Sequence, residues 1–263
     1  MHTVRTGSSS PGGSPLVLVP GVGADTETWR PVLAGLAAQR EVVRLDLPGF
    51  GRTPPFDGEV TMARYADALE AHLRAEGLAS ADLVGSSMGA RLVMELARRG
   101  VGRASVALDP GGFWSVGQKK VFGATLAASV ALVRALRPAL PVLLSTPVGR
   151  TALLAQLSVR PWAVPADYAL SEVRGLADAP GTSPAITALS TGPDQVGAPA
   201  GSLPGPMLVV WGRQDRVTIP RPERVGELFP DATVELWDSC GHFPHWDQPE
   251  RTVSRVLSFT GGG

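Results

Sequence analysis

Three residues in this chain could together make an alcohol into a nucleophile: Ser87, Asp215 and His242. A serine hydroxyl attacks poorly at neutral pH. It needs a base within hydrogen-bond reach, and the base needs an acid to fix its tautomer. Ser87 stands at the centre of Gly85-Ser86-Ser87-Met88-Gly89, a Gly-x-Ser-x-Gly pattern. An apolar, strand-like run (82–85) precedes it, and apolar residues at helical spacing (90–99) follow. A strand, a sharp turn and a helix would hold the serine on a strained crest with its hydroxyl exposed. The flanking glycines would let strand and helix approach closely.

Four histidines are available as base. His2 is near the chain's first residue, and His72 falls on a predicted helix (61–76) away from any strand end. That leaves Gly241-His242-Phe243-Pro244-His245, in a loop after the last predicted strand. His242 is favoured because Gly241 gives the loop room to turn; His245 reads as a polar neighbour with satisfied hydrogen bonds. A His-x-x-His metal pair is disfavoured, since Pro244 should break helical presentation and only Asp247 offers a third ligand. No metal is expected. Asp215 and Asp109 both follow strand-like runs, and either could simply build a turn. The order nucleophile, acid, base favours Asp215. Asp46 precedes the nucleophile and reads as a loop organiser.

A developing oxyanion needs donors. The Met88 N–H, just after the nucleophile, supplies one, and the loop Pro20-Gly21-Val22-Gly23 supplies the other. Val22 N–H is the choice there, with Gly23 as the alternative. Gly21-x-Gly23 lacks the third glycine of a dinucleotide-binding turn, and no lysine-bearing phosphate loop occurs, so no cofactor is expected.

These residues need a scaffold. Short apolar runs at 16–19, 42–46, 83–84, 104–109, 207–211 and 234–237 read as buried strands. Helical patterns at 29–39, 61–76, 90–99, 221–229 and 250–259 alternate with them. Such alternation predicts an α/β fold with a mostly parallel, doubly wound sheet. From about Gly112 to Pro204 the alternation stops. Helical stretches separated by Pro and Gly (119–136, 140–145, 148–157, 165–177 and 183–190) fill a connection too long for an ordinary loop. This predicts a core of 1–111 and 205–263 and an inserted helical lid of 112–204 over the sheet's C-terminal edge. Its apolar faces are expected to line a greasy pocket, with Gly21, Trp114, Trp162, Tyr168 and Phe243 as candidate substrate-binding residues. The large aromatics read equally well as plain core. Residues 7–15 are all Gly, Ser or Pro, which predicts a mobile entry, and the last three residues are Gly261-Gly262-Gly263.

Composition sets bounds. With 44% hydrophobic and 18% charged residues among 263, a sizeable core can form. A net formal charge of +0 leaves no global electrostatic footprint for nucleic acid or an anionic membrane. The longest apolar run, 121–144, is interrupted by Arg134, Arg137, Pro138 and Pro141, so stable membrane insertion is not expected. The lone cysteine, Cys240, excludes an internal disulfide. No signal-peptide pattern opens the chain, and a cytoplasmic location is the expectation.

By these motifs the chain resembles the α/β-hydrolase fold superfamily, over roughly Leu16 to Phe259. The resemblance rests on Leu18-Val19-Pro20-Gly21-Val22-Gly23 with Trp29, Asp46-Leu47-Pro48-Gly49-Phe50-Gly51, the Ser87 motif, Trp211-Gly212-Arg213-Gln214-Asp215, and Gly241 to His245. It implies Ser87 as nucleophile, Asp215 as acid and His242 as base. Two departures stand out. Pro20-Gly21 replaces the frequent His-Gly, and the leading hairpin is reduced to one strand, Thr3 to Thr6. The implied activity is serine hydrolysis of a small hydrophobic ester or lactone through an acyl-enzyme. A serine at this position argues against the superfamily's epoxide hydrolases and haloalkane dehalogenases, which attack with a carboxylate. Alternatives on the same triad are carbon–carbon bond hydrolysis, thioester hydrolysis and a biosynthetic tailoring reaction. Ser87-Met88-Gly89 resembles the carbon–carbon hydrolases, though Phe243 stands where many of them carry Trp. A ligand receptor signalling through lid movement is the non-enzymatic alternative.

Overall fold

The inner strands of this chain are short, buried and mostly apolar, and helices cover both faces of the sheet they build. The structure is a computed structural model that describes residues 1–8 and 13–261. Part of the Gly/Ser/Pro entry (9–12) and the last two glycines lie outside the described residues.

Seven strands form one sheet: β1 (Thr3–Thr6), β2 (Leu16–Val19), β3 (Val42–Leu45), β4 (Asp82–Ser86), β5 (Ser105–Leu108), β6 (Met207–Gly212) and β7 (Ala232–Trp237). Their order is β1-β3-β2-β4-β5-β6-β7. β1 pairs antiparallel with β3, and every other pairing is parallel. Parallel neighbours need crossovers, and the crossover helices bury both faces. Side chains therefore alternate between two cores along a strand that is apolar throughout. Leu16 and Leu18 of β2 pack with Trp29, Val32, Leu36 and Val256, beneath α1 (Arg30–Ala37) and α11 (Pro249–Thr260). Val17 and Val19 pack on the other face with Tyr65, Leu69, Leu92 and Val93, beneath α2 (Met62–Ala75) and α3 (Met88–Arg98).

Between β5 and β6 run five α-helices: α4 (Val116–Ala135), α5 (Leu140–Ser145), α6 (Pro147–Leu154), α7 (Ala166–Asp178) and α8 (Thr182–Thr191). Ser115 caps α4 with a reciprocal Ser–Gln118 box, satisfying two otherwise orphaned backbone donors. Leu140, Leu144, Leu154, Tyr168, Ala169 and Val173 form a separate small core, which Trp246 joins from outside the segment. Phe122 and Leu126 of α4 and Ile186 and Leu189 of α8 belong instead to the main core. The segment is thus packed both onto itself and onto the sheet layer. Among the described residues no single helix is long and apolar enough to cross a membrane. One pair, α4 and the stretch Arg137–Ser145, is long and apolar enough only when taken together, and it bends by 66° at the break between them. The remaining helices, α9 (Pro222–Leu228) and α10 (Pro244–Asp247), flank the last strand. Proline did not break α10 as expected: Pro244 opens it, at the first helical turn where a missing N–H costs nothing.

Candidate active site

The central strand β4 ends at Ser86, and the next residue is forced out of ordinary backbone space. Ser87 has φ 55° and ψ −113°, a conformation that L-residues avoid. The turn is possible because its flanks carry no side chain. A Cβ on Gly85 would sit 2.2 Å from the Gly89 carbonyl oxygen, and one on Gly89 would sit 2.1 Å from that of Val19. Gly21 is constrained less severely: its Cβ would stand 3.1 Å from the Ser87 Cβ, a tight contact. Its part is close approach beneath the serine. It does not line the adjoining pocket.

His242 Nε2 lies 2.9 Å from Ser87 Oγ, and His242 Nδ1 lies 3.0 Å from Asp215 Oδ2. Three chain segments thus meet: the β4–α3 turn, the loop after β6 and the loop after β7. Asp215 Oδ1 accepts from the amides of Val217 (2.7 Å) and Thr218 (3.1 Å). Its Oδ2 accepts from the Thr218 hydroxyl (2.5 Å) and Trp211 Nε1 (3.2 Å). Burial by itself would raise this carboxyl, but the His242 ring and these donors outweigh it and hold Asp215 well below the usual carboxylate range. An ionised carboxylate can only accept, so the shared proton belongs on Nδ1. Nε2 is then free to accept from the Ser87 hydroxyl.

Asp109, the other acid candidate, stands behind this chain. Its Oδ1 accepts from the Gly212 amide at 2.9 Å, and its own φ is 49°. Complete burial, then the neighbouring Asp215 charge, push it well above the carboxylate range, opposite to the shift of Asp215. The donor atoms of Asp109, Asp215 and His242 lie within 4.8 Å of one another, the spacing of a metal set. Here the Asp215 and His242 atoms are already committed to each other and to the donors named above.

The base loop is tied down by Asp247, a residue read from sequence only as an unlikely metal ligand. Its Oδ2 accepts from the Gly241 amide (2.7 Å) and the Val159 amide (3.1 Å), and its Oδ1 from the Ser158 hydroxyl (2.5 Å). The His242 amide donates to the Leu157 carbonyl at 2.9 Å. The helical segment therefore helps hold the base in place. His245 corrects an expectation. It is fully buried, and neither ring nitrogen has a hydrogen-bond partner among the described residues. Its ring lies 5.0 Å from that of Trp29, and burial, then the nearby His242, lower it to about 3. Asp46 does organise a loop: it accepts from the Thr26 and Arg52 amides, each at 2.8 Å.

A pocket opens at Ser87 and His242. The loop residues Val22, Gly23 and Ala24 form one wall, and Phe243 and Trp246 another. Phe122, Leu126, Leu154, Val173, Leu176 and Leu189 close it from the helical segment. Among the described residues neither the Val22 nor the Met88 amide has a protein acceptor. Of the five candidate substrate-binding residues, only Phe243 lines this pocket. Trp114 is stacked on the far side of Phe122, with ring centroids 4.4 Å apart. Tyr168 is buried in the small helical core, its hydroxyl donating to the Thr28 carbonyl at 2.6 Å. Trp162 is 51% exposed and borders a different cleft, beside Gln214 and Arg216.

The sequence reading named none of the lid residues that line this pocket, and one of them is charged. Glu172 of α7 presents a carboxyl to the otherwise apolar wall. The signal was there: Ala169, Glu172, Val173 and Leu176 share a helical stripe, and a charge within an apolar stripe points inward.

Sequence and structure comparisons bear on the family and the fold. Residues 16–255 match the alpha/beta hydrolase family. The chain belongs to that family. A relative from Pseudomonas putida, the dihydrolipoyllysine-residue acetyltransferase component of an acetoin cleaving system, is 30% identical over 94% of this chain. The chain spans 64% of that relative's length. A 2-hydroxy-6-oxononadienedioate/2-hydroxy-6-oxononatrienedioate hydrolase from Dechloromonas aromatica is 25% identical, over 93% of this chain and 86% of its own. Among solved structures, an esterase from a Rhodococcus species superposes with a TM-score of 0.74 at 24% identity, covering 99% of this chain and 94% of the esterase. That likeness is one of fold. The alpha/beta hydrolase sheet is what brings the three segments of the site together here.

Proposed function

We propose that this alpha/beta hydrolase cleaves a small hydrophobic carboxylic ester or lactone through an acyl-serine, with Ser87, His242 and Asp215 as its triad. The observation that carries the reading is the unbroken chain from Ser87 Oγ through the His242 ring to Asp215 Oδ2, opening on an apolar pocket. Ser87 Oγ attacks the carbonyl carbon as His242 Nε2 takes its proton. The Val22 and Met88 amides receive the oxyanion, each such donor being worth about 10²–10³ in rate. Protonated His242 then passes the proton to the departing alcohol oxygen. Water, deprotonated by the same nitrogen, releases the acid. Asp215 stays ionised and stabilises the imidazolium in both halves. Helices α4 to α8 act as the lid that excludes bulk water from these steps.

A second reading, hydrolysis of a carbon–carbon bond, is supported by the Dechloromonas relative, which aligns along most of both chains. The wall chemistry favours the ester. A dicarboxylate like the one in that relative's name would need cations, whereas the only ionisable side chains among the described lining residues are Glu172 and His242. Turnover of nitrophenyl esters of increasing chain length, in wild type and Ser87→Ala, tests the choice. Rapid hydrolysis lost with the substitution supports it. Faster turnover of a vinylogous diketone than of any ester would replace it with the carbon–carbon reaction.

A further inference from the structure

Glu172 is out of place in its surroundings. It sits on α7 at the wall of a pocket to which the helical segment otherwise contributes only apolar side chains, among them Phe122, Leu126, Val173 and Leu176. Oε2 accepts from the Thr28 hydroxyl at 2.8 Å, which fixes the orientation of the carboxyl. Oε1 has no hydrogen-bond partner among the described residues, and no cation pairs with the group there. The Arg30 guanidinium, whose charge acts on the group, is engaged instead with Asp167 at 2.9 Å and lies over the Tyr168 ring. A carboxyl on the wall of an apolar chamber, held by one oxygen and with the other accessible and unpaired, has the form of a recognition group.

We propose that Glu172 sets specificity by donating a hydrogen bond from Oε1 to a second oxygen of the substrate. That oxygen is a ketone, ether or hydroxyl carried on the apolar part, away from the scissile carbonyl. The proposal deepens the ester reading and rests on it. Thr28 already donates to Oε2, so the acid proton belongs on Oε1, pointing at the substrate. The charges around the group keep that proton in place. Burial comes first, and Asp25 and Glu27 add to it, against the Thr28 hydrogen bond and Arg30; together they push Glu172 up to about 8. Tyr168, on the same helix, and His242, across the pocket, are the other titratable groups that face it. A purely hydrocarbon chain would leave this donor unsatisfied, whereas an oxygenated one would satisfy it. The pocket should therefore discriminate between the two.

The test uses nitrophenyl octanoate and a series of oxo-octanoates with the ketone walked along the chain. Binding is measured by calorimetry to Ser87→Ala protein, which cannot turn the ligands over, at about pH 6, where the acid is protonated. One member of the series should bind about ten-fold tighter than octanoate. Adding Glu172→Gln, which keeps a donor, should preserve that preference; adding Glu172→Leu should abolish it. In the Ser87→Ala protein the preference should fall as pH rises past about 8, and with Glu172→Gln it should stay flat. Equal affinities across the series, no binding of any member, or a preference that survives Glu172→Leu would overturn the proposal. Tighter binding of an amino-octanoate than of any oxo-octanoate would also overturn it, because the group would then act as a carboxylate. Wild-type turnover of the same esters reports separately on the ester reading. A ketone preference without hydrolysis would sink that reading and leave the role of Glu172 standing.

Discussion

Ser87 is held where its neighbours need it and where its own backbone resists. A non-glycine residue in such a conformation costs about 1–3 kcal/mol, and the crowding of Gly21, Gly85 and Gly89 around it maintains the strain. Ser87→Gly should therefore be more stable than Ser87→Ala, by about 1 kcal/mol in urea unfolding, after the extra unfolded-state entropy of glycine is counted. A less stable glycine variant would show that the turn is relaxed. Asp215 acts through the ring it orients. Asp215→Asn keeps the shape but can offer its amide N–H to Nδ1, which favours the wrong tautomer. Ester kcat should drop about 10⁴-fold, with far smaller loss in binding of an unreactive analogue. Unchanged kcat would move the acid's role to Asp109. Ser87, Asp215 and His242 were legible because each follows a strand-like run and carries a type that the chemistry requires. Glu172 and Asp247 were not, because their meaning lies in what α7 and the base loop pack against.

Individual elements carry the site's pH response. The loop and short helix from Gly241 to Asp247 bury a neutral His245 among aromatic rings. In the unfolded chain this residue takes a proton near its ordinary 6.5, whereas the folded protein resists until about 3. Between those values the unfolded state binds more protons, so stability is complete above 6.5 and is lost as pH falls. Going from about pH 7 to about pH 4, His245→Phe should lose on the order of 3 kcal/mol less than wild type in urea titrations. Parallel pH curves would contradict this. The expectation that His245 is a satisfied polar residue failed because Pro244 starts a helix rather than preventing one, and the turn swings the ring inward. The strands, by contrast, were readable to within about two residues, since strands covered on both faces are mostly apolar; the largest misses are β4, which runs on to Ser86, and β7, which starts at Ala232. Helix α4 starts three residues before its apolar pattern, at the Ser115 cap.

For the molecule as a whole, the sheet must keep its strand ends in register if three distant segments are to meet. At the end of β4 opposite the site, buried Asp82 accepts from Arg40 (2.6 Å), Arg103 (2.7 Å) and the Ala104 amide (3.1 Å). Asp82→Ala strands all three donors. It should cost on the order of 3 kcal/mol of stability and leave ester kcat/KM unchanged while the protein stays folded. A full-stability variant would show that solvent replaces the carboxylate. The α/β architecture and the helical stretch between β5 and β6 were visible in the sequence as alternation and its interruption. The orientation of that stretch was not, which is why Trp114, Trp162 and Tyr168 were placed at a pocket that, of the aromatic candidates, only Phe243 lines. The most direct test of the central claim is mass spectrometry of protein quenched during turnover of a nitrophenyl ester. The account predicts a transient acyl adduct on the peptide containing Ser87, absent from Ser87→Ala. Steady hydrolysis with no adduct on that peptide, or hydrolysis that persists in Ser87→Ala, would contradict it.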